Sequence, residues 1–202
     1  MFRFSLSENH SLRLFEESDA DSLYALIEVN RLHLAKWLPW AEQQTLEGTR
    51  AFIRMGRKQL ADNDGFQAAV FERERIIGSI GFHRVDWLHR STGIGYWLAA
   101  DSQRRGTMTL AVSALLDFAF AAWGLNRVEI RAAVGNRRSR AIPERLGFRE
   151  EGTLRQAEFV GGRYLDHVVY SMLAEEWGSR TAVPSKAPAR RSDSASSARS
   201  IG

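Results

Sequence analysis

The residue types best suited to chemistry fall in two clusters about thirty positions apart. The first is Gln103-Arg-Arg-Gly-Thr-Met-Thr109, which leads from the glycine-bearing apolar segment Gly93–Leu98 into a long apolar-periodic stretch. A helix start presents backbone N–H groups without intrahelical partners and the positive end of the helix dipole. A diphosphate is a natural ligand for such a place. Gly106 permits a positive φ or close backbone approach, while Arg104 and Arg105 can add charge-assisted contacts. The second cluster is Asn136-Arg-Arg-Ser-Arg-Ala-Ile-Pro-Glu-Arg-Leu-Gly-Phe148. Asn136 follows a predicted strand and can bond its own backbone or an amide-bearing ligand. Ser139 suits the N-cap of the following helix as well as it suits catalysis. Taken singly, either cluster is also what an ordinary helix start contains.

The elements that must position these clusters follow from periodicity. Ser11–Phe15 alternates as a short strand. Glu16–Ala20 leads into a helix, with Ser18 and Asp21 at capping-box spacing and Leu23, Leu26 and Ile27 as its apolar stripe. The aromatic run Leu32–Trp40 is stopped by Pro39, and Thr45 opens a second helix that Asp62-Asn-Asp-Gly65 ends. Period two then takes over. Phe66–Phe71 and Ile76–Phe82 flank the charged turn Glu72–Arg75, and Thr92–Leu98 is a third strand. Thr109–Trp123 reads as a long amphipathic helix stopped at Gly124. Arg127–Ala133 is a strand, and Ser139–Leu146 a short helix ending at Gly147. Arg149–Glu158 and Arg163–Met172 form a hairpin around Gly161-Gly162. Tight turns imply antiparallel pairing, and the long helix before Arg127 implies one parallel crossover. The expected class is α+β, a mixed, mostly antiparallel, seven-stranded sheet with helices on both faces. Neither strand–GxGxxG–helix nor GxxxxGK[ST] occurs, so Rossmann and P-loop readings fail.

A chain of 202 residues is enough for one well-packed domain. No apolar run approaches the ~20 residues of a membrane span. The N-terminus carries no apolar core or small-residue cleavage site, and there is no cysteine. A cytoplasmic location, away from any membrane, is the expectation. The net charge of +4 is misleading. From Ser179 onward the chain carries Arg180, Lys186, Arg190, Arg191 and Arg199 against Asp193 alone, which leaves 23 charges of each sign in residues 1–178. The body is neutral, so it offers no basic face for nucleic acid. Residues 1–178 are read as the domain and 179–202 as a basic Ser/Ala/Arg-rich tail unable to order itself. His83, His89 and His167 lack metal-ligand spacing, so no metal is expected, and Asp166-His167 reads as a strand-end hydrogen bond.

Together the clusters resemble the GCN5-related N-acetyltransferase (GNAT) superfamily, most closely its ribosomal-protein N-terminal acetyltransferases. Gln103-Arg-Arg-Gly-Thr-Met is similar to that superfamily's (Q/R)-x-x-G-x-(G/A) loop, with Met108 in place of the last small residue. Asn136-x-x-Ser139 with Leu146-Gly-Phe148, Gln156-Ala-Glu-Phe159, Arg163-Tyr-x-Asp-His-x-x-Tyr170 and Trp37-Leu-Pro-Trp40 resemble further segments of that branch. The resemblance covers roughly residues 8–177.

The resemblance implies acetyl-CoA as co-substrate and acetyl transfer to a primary amine. The acceptor would be a protein α-amine, ribosomal proteins being typical of the branch. A small amine (an antibiotic, an amino-acid conjugate or a polyamine) stays open, as do a non-catalytic CoA-sensing module and a homodimer. Leu98 and Ala99 would lie on a strand splayed from Arg127–Ala133, opening a CoA cleft whose backbone groups bond pantetheine as an added strand would. Arg104, Arg105, Gly106, Thr107, Met108 and Thr109 would hold the pyrophosphate, and Asn136 the pantetheine. Ser139 would sit near the sulfur, and Glu158 would be the base, directly or through water. Trp37, Trp40 and Tyr96 would face the acceptor, although aromatic stripes such as Trp37–Trp40 are as often core.

Overall fold

The computed structural model describes residues 3–181. Among these, the strands are β1 (Arg3–Ser5), β2 (His10–Leu14), β3 (Gln67–Glu72), β4 (Arg75–Phe82), β5 (Ser91–Leu98), β6 (Arg127–Ala133), β7 (Arg149–Val160) and β8 (Arg163–Leu173). They form one sheet in the order β1-β2-β3-β4-β5-β6-β8-β7. The helices are α1 (Ala20–Leu34), α2 (Leu46–Ala61), α3 (Thr107–Asp117), α4 (Arg137–Arg145) and α5 (Ala174–Thr181). All neighbouring strands are antiparallel except β5 and β6, which α3 connects as a crossover.

The sheet has eight strands rather than the expected seven. The extra one, β1, is a three-residue exposed edge paired only to β2, too short to show alternation. Along β3 the alternation is clear. Ala68 and Val70 join the core beneath α3 with Leu115, Leu116 and Val128, while Ala69 and Phe71 join Leu23, Ile27 and Ile53 of α1 and α2 on the other face. Each helix layer thus covers one face of the sheet.

Local chemistry sets the helix ends. Thr45 Oγ1 accepts from the Gly48 N–H at 3.0 Å, capping α2 as its sequence suggests. Before α1 it is Asp19, not Asp21, that closes the turn. Its Oδ2 accepts the Glu16 N–H at 2.7 Å, and its carboxylate takes two bonds from Arg13 at 3.0 and 2.8 Å. α3 begins at Thr107, two residues before the predicted Thr109, because Gly106 takes a left-handed φ of 79° as its N-cap. Its far end widens into a π-helical turn, Phe118–Ala122, where Trp123 N–H reaches back to Phe118 C=O at 3.2 Å. That turn sets Phe118 and Trp123 against each other (centroids 4.9 Å) and Trp123 against Phe82 (4.8 Å).

After β8 the helix α5 runs through Thr181, past the boundary expected at Gly178. The rest of the expected tail, 182–202, lies outside the described residues. No helix among the described residues is long and apolar enough to cross a membrane.

The feature that positions the site is the β5–β6 pair. It is hydrogen-bonded only from Ser91–Gly93 to Arg127–Glu129. β5 then continues to Leu98 and β6 to Ala133 without pairing, so the sheet opens into a wedge.

Candidate active site

A cleft of about 1540 Å³ fills the wedge. Residues 103–110 and the start of α4 line one end. Trp37, Trp40, His83, Glu129, Arg131, Glu158 and His167 line the other. Of the residues singled out from sequence, all but Ala99 reach this cleft.

Ala99 is a correction with a plain backbone cause. Its N–H donates to Ile77 C=O at 2.9 Å, and Gly93 C=O accepts from His83 N–H at 2.8 Å, both toward β4. Backbone polar groups alternate along a strand, so those of Ile94, Tyr96 and Leu98 face the gap instead. Ala99 itself is fully buried.

The anion end is built from α3. The first intrahelical bond is Leu110 N–H to Gly106 C=O at 3.1 Å, and no side chain caps this end. The amides of Thr107, Met108 and Thr109 therefore have no intrahelical acceptor. Thr107 Oγ1 is buried with no hydrogen-bond partner. Three amides and an orphaned hydroxyl at a helix N-terminus fit a pyrophosphate. Arg104 is exposed, at φ 67°, and makes no ion pair among the described residues. Arg105 departs from expectation. Its guanidinium is committed to Glu72 Oε1 at 2.8 Å and Asp101 C=O at 3.2 Å, on the side of the β3–β4 hairpin.

A chain of side chains crosses the wedge beside this loop. Arg138 of α4 donates to Gln103 Oε1 at 2.9 Å, and Gln103 Nε2 lies 2.8 Å from His33 Nε2 of α1 and 3.3 Å from Leu98 C=O. An amide nitrogen only donates, so His33 accepts and is neutral. Burial first, then Arg138 and Lys36, lowers the His33 pKa in the same direction.

At α4 the cap is Asn136, not Ser139. Asn136 Oδ1 accepts the Ser139 N–H at 3.2 Å, and the helix starts at Arg137. Asn136→Ala is expected to cost about 1 kcal/mol of stability. The measurement is a lower urea midpoint with an unchanged slope; an unmoved midpoint would show the cap to be idle. Ser139 instead faces β5. Tyr96 Oη donates to Ser139 C=O at 3.0 Å, and Ser139 Oγ donates to Tyr96 Oη at 3.4 Å. Tyr96, expected on the acceptor wall, thus has its hydroxyl committed to Ser139.

At the other end the β7–β8 pairing slips between Leu154 and Glu158. Gln156 takes φ 50°, and its N–H donates to Asp166 Oδ1 at 2.8 Å. This bulge delivers Glu158 to His167, with Oε2 and Nε2 3.2 Å apart in a contact whose angles are not those of a hydrogen bond. Asp166 and His167 therefore serve opposite ends of the bulge rather than each other. Trp40 stacks at a tilt on Trp97 (6.1 Å) and is 39% exposed, so it is wall rather than core. Trp37 packs against Gly135, where a side chain would meet its ring at 3.4 Å.

Sequence reasoning missed His83, Glu129 and Arg131 as cleft residues. The His83 ring lies across Gly95, where an added Cβ would meet Nε2 at 2.9 Å. Burial, then Arg131, lowers its pKa. The alternating Gly93 and Gly95 were the available signal for a ring crossing that strand. Burial opposes ionisation of Glu129, but Arg127 and Arg131 outweigh it and hold its carboxyl below the usual range.

The chain matches the acetyltransferase (GNAT) domain family over residues 11–149. It is 41% identical to YdaF of Bacillus subtilis, whose name provisionally assigns it to ribosomal N-acetylation, over 88% of this chain and 98% of that protein. It is 30% identical to the ribosomal-protein-serine acetyltransferase of Escherichia coli, over 84% of this chain and 96% of that protein. Among solved structures, the ribosomal-protein α-N-acetyltransferase RimL in complex with coenzyme A superposes with a TM-score of 0.83 at 25% identity, covering 87% of this chain and 99% of that one. The chain belongs to the GNAT family as an N-acetyltransferase.

Proposed function

We propose that this chain moves acetyl from acetyl-CoA to the N-terminal α-amine of a protein, with ribosomal proteins as the acceptor class, by direct transfer in a ternary complex. The observation that carries the reading is the single cleft that joins the α3 amides and Thr107 to Glu158 and the tryptophan wall. The acceptor class is carried over from the names of the relatives. The chain has no cysteine to hold an acyl group, which favours direct transfer.

In this reading the α3 amides, Thr107 Oγ1 and Arg104 hold the pyrophosphate. The backbone groups of Ile94, Tyr96 and Leu98 hold pantetheine as an added strand would. Leu98 C=O has two lone pairs, so it can keep Gln103 while accepting a ligand amide. Acetyl-CoA supplies a thioester whose leaving thiol has a pKa of ~8.5. Glu158 takes the proton of the attacking amine, directly or through one water, as the C–N bond forms. Ser139 Oγ hydrogen-bonds the sulfur as the C–S bond breaks. An α-amine of pKa ~7.7–8.0 is roughly a tenth to a third neutral near pH 7–7.5, whereas a lysine amine at ~10.4 is less than about 0.1% neutral. A carboxylate is a sufficient base for the first and a poor one for the second.

Thiol release measured over peptides that differ in their first residue, beside a panel of small amines, tests the acceptor. Free N-terminal peptides should turn over, and the same peptides blocked at the α-amine but carrying lysine should not. Turnover confined to small amines would overturn the acceptor class. The donor is tested separately, because acetyl-CoA should raise Tm by mass action. An unmoved Tm at millimolar acetyl-CoA would overturn the cofactor site.

A further inference from the structure

α4 carries a proline inside it, Pro143, and buries that residue. In an α-helix the N–H of residue 143 would donate to the carbonyl of residue 139. Proline has no N–H, so Ser139 C=O is left without its donor four residues on. A buried or half-buried carbonyl in that position needs a donor from elsewhere. The donor it has is Tyr96 Oη of β5, at 3.0 Å. A phenol has one proton, and here that proton is spent on the carbonyl. In its 3.4 Å contact with Ser139 Oγ the phenol oxygen must therefore accept. The two contacts hold one serine at both its backbone and its side chain from the neighbouring wall of the cleft.

We infer that Tyr96 is a positioning residue for Ser139, recruited because Pro143 vacates the Ser139 carbonyl. The inference rests on the proposed role of Ser139 toward the departing sulfur. Serine also has one hydroxyl proton, so meeting the departing sulfur requires Oγ–H to turn from Tyr96 Oη to it. Tyr96 holds Ser139 through its backbone carbonyl and sets where Oγ waits before that step, bridging α4 to β5 across the unpaired part of the wedge. It orients and does not supply a proton. Burial pushes the phenol pKa above its usual value, although hydrogen bonding to Ser139 works against this, so the hydroxyl keeps its proton throughout.

Two substitutions probe opposite ends of the arrangement. Tyr96→Phe keeps the ring and removes both contacts. Pro143→Ala returns an N–H able to claim the Ser139 carbonyl within the helix. Each should lower kcat about fivefold, the scale of losing neutral hydrogen bonds, with KM for acetyl-CoA within about twofold. Pro143→Ala should do so with an unchanged or raised Tm, because alanine suits a helix interior far better than proline. A merely structural proline would lose activity and stability together. Tyr96→Phe on a Ser139→Ala background should cost nothing further, as expected for residues acting through one another. An unchanged kcat in Tyr96→Phe beside a lowered Ser139→Ala would overturn the inference alone, as would an equal Tyr96→Phe loss with and without Ser139. An unchanged kcat in Ser139→Ala would remove the role of Ser139 and the inference with it.

Discussion

Glu158→Gln is expected to lower kcat/KM about a hundredfold near pH 6.5, with the loss shrinking to a few-fold above about pH 8.5. The pH dependence follows from the acceptor. Below the amine pKa of ~7.7–8.0 most acceptor is protonated, and a base must carry the proton away for attack to proceed. Above it the neutral amine dominates and the base matters less. General base catalysis spans about 10²–10⁴-fold, and an α-amine that is partly neutral already calls for the low end. Glutamine keeps the size of the side chain and its place beyond the Leu154/Glu158 bulge, so Tm and the acetyl-CoA-induced shift should hold. His167→Gln is the necessary companion, because His167 Nε2 lies 3.2 Å from the Glu158 carboxylate. If His167 only steadies the carboxylate, its removal should cost less than the loss of Glu158 at every pH. Kinetics of Glu158→Gln that match the parent from about pH 6 to 8 would take Glu158 out of the mechanism.

The sequence made the donor half of the cleft legible and much of the acceptor half illegible, for reasons visible in particular residues. Gly106 followed by an apolar-periodic stretch marks a helix start because only local geometry is involved, and the misplacement by two residues arose because Thr107 and Thr109 are both acceptable first-turn residues. Asn136 and Ser139 are both cap-forming types, and spacing cannot say which oxygen caps which amide; the fold assigns it to Asn136. Ala99 failed for a subtler reason. One step along a strand reverses the direction of every backbone polar group, so a wedge placed correctly can still be credited to the wrong residue. Glu158 owes its position to a bulge with Gln156 at positive φ, which leaves no periodic trace, and only the family resemblance marked it. His83, Glu129 and Arg131 come together because β4, β5 and β6 are neighbours in space. That is a long-range fact, and nothing near each residue announces it. The Tyr96–Ser139 contact is of the same kind, spanning 43 positions.

Gly106→Ala should weaken acetyl-CoA binding about tenfold, leave kcat at saturation unchanged, and barely move the Tm of the unliganded chain. At φ 79° the residue is in the left-handed region, yet a Cβ placed there would meet nothing within 4 Å. The penalty is therefore torsional, about 1–2 kcal/mol for a non-glycine residue. Where that penalty falls depends on what holds the loop. Arg104, Arg105 and Gly106 are all exposed, and the amides of Thr107, Met108 and Thr109 have no acceptor within the helix. The unliganded loop can relax away from positive φ without breaking core packing, so the strain is met only when a pyrophosphate draws those amides back together. A tenfold rise in Kd corresponds to about 1.4 kcal/mol less ligand-induced stabilisation at a fixed acetyl-CoA concentration, which a thermal titration resolves. Gly106→Val should be worse, because a β-branched side chain at positive φ is a true outlier. The opposite pattern, a lower unliganded Tm with unchanged affinity, would show that the fold rather than the ligand holds the loop in its left-handed form. It would also mean that the α3 amides do not depend on Gly106 to meet a phosphate.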